Sequence, residues 1–122
     1  MYSFKLTLDI FPSPIILVYA PTFEDCSKIL RESYSLSIDF NDDARAITQL
    51  IDGHVVIFLP QDSHSEDETI LVHETLHAAI AVLRRIGAEI SYDNQEMMAY
   101  LQQHIYKRCK EFLDSVPQDD KS

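Results

Sequence analysis

The chain has 122 residues, enough for one domain with its own core. Twenty acidic residues against ten basic ones give a formal charge of -10, which repels phosphate and excludes general nucleic-acid binding through a basic face. An anionic membrane surface is disfavoured for the same reason, and with two glycines and five prolines the chain is neither collagen-like nor of low complexity.

In chain order, Phe4, Leu6, Leu8 and Ile10 alternate with Lys5, Thr7 and Asp9. That period of two predicts a half-buried strand over residues 4–10. Pro12 and Pro14 break it, and the apolar run at residues 15–19 reads as a buried strand. Thr22, with Asp25 three residues on, predicts the start of a helix reaching about residue 33. Cys26, Ile29, Leu30 and Tyr34 share its inner face. Residues 35–46 are polar and acidic, with a short strand expected around 36–40.

Residues 47–51 and 54–59 flank Asp52-Gly53, a two-residue hairpin signal, and Pro60 ends the second strand. Residues 61–67 form a polar loop whose Ser65 pairs with Glu68 as a capping box. The helix that follows is expected over residues 68–86, with Arg84 and Arg85 in its last turn and Gly87 beyond it. It is apolar nearly all round, which predicts a buried central helix. A last helix begins at Asp93 or Asn94 and runs to about Leu113, with Met97, Leu101, Ile105 and Phe112 as its core stripe. Residues 1–116 therefore read as one α+β domain with a small antiparallel or mixed sheet, and residues 117–122 as a frayed polar tail.

Cys26 and Cys109 stand in no CxxC arrangement and read as reduced, buried thiols of an intracellular protein. The first residues lack the basic start and unbroken apolar run of a signal peptide, and no segment approaches a membrane helix. The expected location is the cytoplasm.

The central helix carries His73-Glu74-Thr75-Leu76-His77, an HExxH motif. Histidines four apart project from one helical face and can reach one tetrahedral metal ion, normally zinc. Glu74 points to a neighbouring sector, where a carboxylate can deprotonate a metal-bound water. Zinc needs a third protein ligand, and Glu89, Asp93, Glu96 and His104 are the downstream candidates. The helix continues nine residues past His77, about 13.5 Å. A tight helical hairpin would bring Gln103 or His104 level with His77, whereas Glu96 needs an extended return over residues 87–95. The strand-like Ile90-Ser91-Tyr92 fits that return. Tyr100 shares a face with Glu96 and could orient a ligand histidine or donate to an oxyanion.

Residues 71–79, then Ile86-Gly87-Ala88-Glu89-Ile90, Asp93-Asn94-Gln95-Glu96 and Ala99-Tyr100-Leu101, resemble the small zinc metallopeptidases encoded by phages and prophages. These are similar to the gluzincins, in which a glutamate on a second helix completes the HExxH site. The resemblance covers about residues 53–112. It implies a minimal zincin-like fold, with His73, His77 and Glu96 as zinc ligands and Glu74 as general base. One position departs from the thermolysin-like pattern: four residues after the third ligand stands Tyr100 in place of an aspartate.

The expected function is a small zinc-dependent hydrolase, a metallopeptidase acting on a peptide or protein substrate. The alternative is a zinc-binding or metal-free interaction protein with a degenerate HExxH site. His54 and His64 read as structural or solvent-exposed. The strand at residues 54–59 is expected in the sheet, where it could also form a cleft edge that pairs with extended peptide.

Overall fold

Residues 15–20 and 54–60 are the most continuously apolar strand segments, and they lie side by side at the centre of a four-stranded sheet. The computed structural model describes residues 2–8, 11–38, 46–61, 68–89, 91–93 and 95–117. The strands are β1 (Tyr2–Leu6), β2 (Ile15–Ala20), β3 (Ile47–Ile51) and β4 (His54–Pro60), in the spatial order β1-β2-β4-β3. β2 and β4 run parallel, and β1 and β3 pair antiparallel on either side. The sheet is therefore mixed, as the α+β expectation allowed.

The register decides where each side chain goes. Ile15 pairs with Val55 and Leu17 with Ile57, so these residues share one face, while Ile16, Val18, Val56 and Phe58 share the other. Both central strands are thus buried on both faces, which is why they lack polar alternation. The second face is covered by α1 (Phe23–Tyr34) through Cys26 and Leu30. Thr22 caps α1 by accepting from the Asp25 N–H at 3.1 Å, as the sequence predicts. The first face is covered by α2 (Thr69–Arg85) and α3 (Gln95–Ser115).

Turn chemistry sets the next two boundaries. Asp52 and Gly53 both have positive φ, 48° and 81°, the backbone of a type I′ hairpin, which matches the twist of β3 and β4. At the end of α2, the Ala88 N–H donates to Leu83 and the Gly87 N–H to Arg84, both at 3.0 Å, with Gly87 at φ 77°. These are the paired bonds of a Schellman stop. α3 then returns along α2: Gln102 Nε2 donates to the Val72 carbonyl at 3.1 Å, and the Phe112 ring stacks on Phe4 at 5.0 Å.

Several expectations move. The first strand is residues 2–6, and Leu8 is buried beyond its end. Residues 36–38 form no strand, and 39–40 lie outside the described residues, as do Ser65 of the expected capping box and the tail from 118. Residues 91–92 form no strand and Tyr92 is 86% exposed, so the strand-like return is absent there; Ile90 lies outside the described residues. Met97 is 48% exposed, and the inner stripe of α3 is Leu101, Ile105, Cys109 and Leu113, because α3 rests on α2 and β1 through a later set of turns.

Cys26 and Cys109 are free and buried, in the two cores on opposite faces of the sheet. Burial pushes both thiols up to about 12, which makes them inert nucleophiles. No helix among the described residues is long and apolar enough to cross a membrane.

Candidate metal centre

α2 is not buried all round. Leu71, Thr75, Ala78, Ala79 and Val82 face the core, while His73, His77 and Arg84 are exposed. The expectation of a helix enclosed on every side fails because only the sheet and α3 pack against it among the described elements, and neither covers the outer stripe. The i, i+4 spacing nonetheless does what the motif requires. His73 Nε2 and His77 Nε2 stand 3.1 Å apart, with the rings edge to face at 4.7 Å.

That separation has two chemical readings, and both suit metal binding. Without a metal, one Nε2–H donates to the other ring's lone pair, so the two imidazoles hold each other in place. Two nitrogens at 2.0–2.1 Å from a tetrahedral ion would be about 3.3 Å apart. The spacing of the rings is therefore close to that of a chelating pair, which supplies two of the four ligands a zinc site needs.

Glu74 lies on the side of α2 that faces β3 and is 7% exposed. Its Oε1 accepts from the Thr48 hydroxyl at 2.5 Å, and the same hydroxyl is 3.1 Å from the Glu74 carbonyl. Thr48 lines a groove of about 460 Å³ between β3 and α2, together with His77, Ile80, Arg84 and others. Thr48 thus joins the motif's glutamate to the groove onto which its second histidine opens. Its role was missed in the sequence. The signal was present in the hairpin: Ile51 opposite His54 places Thr48 opposite Ile57, on the face that α2 covers.

The strand expected in the sheet is there, without the cleft-edge role it could also have taken. The strand at 54–60 is paired on both sides and cannot accept a peptide. β3 is the outer strand beside the groove, since β4 pairs with β2 on one side and with β3 on the other.

The remaining candidates are not gathered around the histidines. Glu96 is exposed in the first turn of α3, and Glu89 and Asp93 are exposed before it. Tyr100 and His104 line a different cavity, described below. Among the described residues no group of three or more His, Cys, Asp or Glu side chains is placed to hold a metal ion. His54 bonds locally, Nδ1 to the Asp52 carbonyl at 3.0 Å, and His64 lies outside the described residues. No protein-family model, curated protein or solved structure matches the chain.

Proposed function

We propose that the protein is a small zinc-dependent hydrolase of the metallopeptidase class, with His73 and His77 as two zinc ligands and Glu74 as general base. The observation that carries this reading is the 3.1 Å approach of the two Nε2 atoms on an exposed helical face. Zinc, when bound, supplies a Lewis acid and a water acidic enough to be a nucleophile near neutral pH. Glu74 holds one carboxylate oxygen against Thr48, which fixes its rotamer, and the other oxygen would take the proton. The groove beside His77 is where an extended peptide or protein substrate would lie. The resemblance assigns the third ligand to Glu96; the role beside the zinc expected of Tyr100 is not part of this reading, since Tyr100 lines the separate cavity. A second reading is favoured by one observation, the absence of a gathered third ligand among the described residues: a zinc-binding or metal-free interaction protein that keeps the motif without turnover.

The test is zinc content after loading and desalting, followed by hydrolysis of a denatured-protein panel with and without chelator. The expected result is about one zinc per chain, lost in His73→Ala and His77→Ala. Glu74→Gln should keep the zinc and abolish hydrolysis. Glu96→Ala should weaken zinc binding at least about tenfold while His104→Ala changes it little; the reverse order would reassign the third ligand. Zinc retention without any chelator-sensitive hydrolysis would select the second reading. No zinc at all would remove the metal from both.

A further inference from the structure

Two residues that the sequence singles out, Tyr100 and His104, find no place beside the HExxH histidines. They line a cavity of about 630 Å³ between α3 and the chain that follows β1, with Leu8, Phe11, Ile86, Met97, Leu101 and Arg108 among the other walls. Ile86, Met97 and Tyr100 are all large, exposed side chains that the fold itself leaves uncovered. A cavity of this volume is in the range that takes a small organic ligand.

The cavity is polarised along its length. Met97, Leu101, His104 and Arg108 follow one another along α3, and from Met97 to Arg108 the helix rises about 16.5 Å. Ile86 lies just beyond the end of α2, where the chain turns toward the start of α3, so it adds to the Met97 end. Arg108 sits over the Phe4 ring, 5.7 Å from its centroid, at the other end. Among the described residues Arg108 is ion-paired with Glu111, 3.7 Å from Nε on an exposed turn, which is longer than a hydrogen bond and leaves guanidinium donors for a second partner. No acidic residue lines the cavity among the described residues, in a chain whose formal charge is -10.

We infer that this cavity is a binding site for a straight-chain carboxylate, with its head at Arg108 and His104 and its alkyl chain lying over Leu101 toward Met97 and Ile86. The ligand class follows from the layout. One cationic end calls for one anionic head, the apolar wall that runs from Leu101 to Met97 and Ile86 along one helix calls for an extended alkyl tail, and about 16 Å accommodates roughly ten to twelve carbons. The site does not depend on zinc or on the HExxH motif.

Calorimetric titration with decanoate, decanol and acetate tests it, each below any micelle concentration and with the protein both zinc-loaded and chelator-treated. Decanoate should bind saturably, one per chain, with the same affinity in both preparations. Acetate should not bind measurably, and decanol should bind about threefold to tenfold more weakly than decanoate. Arg108→Gln should erase that difference by weakening decanoate alone. Met97→Asp, at an exposed position that folding does not need, should weaken both. From hexanoate upward affinity should rise about two- to fourfold per methylene and level off near twelve carbons, where the tail passes Met97. Equal binding of decanol and decanoate, a preference that survives Arg108→Gln, affinity that climbs without levelling off, or binding lost on zinc removal would each overturn the proposal.

Discussion

On α2 two stripes of side chains with the same helical spacing have opposite surroundings. Leu71, Thr75, Ala78, Ala79 and Val82 face the sheet and are buried, while His73, His77 and Arg84 run along the outside. The first stripe is bound by packing, so its composition is fixed by volume: small residues where the helix lies close to the sheet, and Leu71 filling the space near its start. The second stripe is bound by almost nothing but its own histidine pair. The chemistry of the motif can therefore change without cost to the fold, and the fold can persist without the chemistry.

The sharpest way to break that contrast is on the inner stripe. Leu71→Ala removes a side chain that is 1% exposed in the larger core. It should cost about 2–5 kcal/mol of unfolding free energy, because the cavity it leaves adds to the lost transfer energy. Urea unfolding followed by circular dichroism reads this directly. A loss below 1 kcal/mol would mean that α2 is not held by its inner face.

Much of this was legible from residue order alone, and the parts that were not share a cause. The hairpin, the α1 cap and the end of α2 are written in local chemistry: Asp52-Gly53, Thr22 with Asp25, and Gly87 after Arg84 and Arg85. The burial of β2 and β4 follows from their lack of alternation. The expectations that moved are ones that required knowing a neighbour in space. α2 reads as apolar all round because Leu76, Ile80 and Val72 dilute its outer stripe, so its exposed side could not be told from a buried one. Met97 was placed in the core of α3 on spacing that fits Leu101 and Ile105 equally well, and only the docking of α3 decides between them. For the candidate site, the histidine pairing followed from i, i+4 geometry. The hairpin register puts Thr48 on the face of Ile57, but that α2 lays Glu74 over that face is a contact between distant segments that the register does not carry.

Between the two stripes lies Glu74, buried like the first and chemically disposed like the second. Thr48→Val removes the hydroxyl that bonds its carboxylate and leaves a buried acceptor without that partner. The expected loss is about 1–3 kcal/mol, smaller than that of Leu71→Ala. In a double-mutant cycle with Glu74→Gln the two changes should couple by at least about 0.5 kcal/mol, since they share one contact. Strict additivity would show that the bond does not hold Glu74 in solution.

The outer stripe should give the smallest effect on stability. His73 and His77 are exposed, and their mutual contact is a hydrogen bond in water-accessible surroundings. Such a contact exchanges readily for water, so His73→Ala should change the stability of the metal-free protein by no more than about 0.5 kcal/mol. The helix itself has no objection, because alanine has the higher helical propensity. With zinc present the same substitution should behave differently. A ligand that binds only the folded state adds RT ln(1 + [L]/Kd), about 2.7 kcal/mol at a hundredfold excess over Kd, and the variant should lose that increment. Measuring urea midpoints for wild type and His73→Ala, each with and without zinc, separates the two contributions. A midpoint shift that appears only with zinc would assign the outer stripe to metal binding. An equal shift in both conditions would return His73 to the structural side of the helix, and the contrast between the two stripes would disappear.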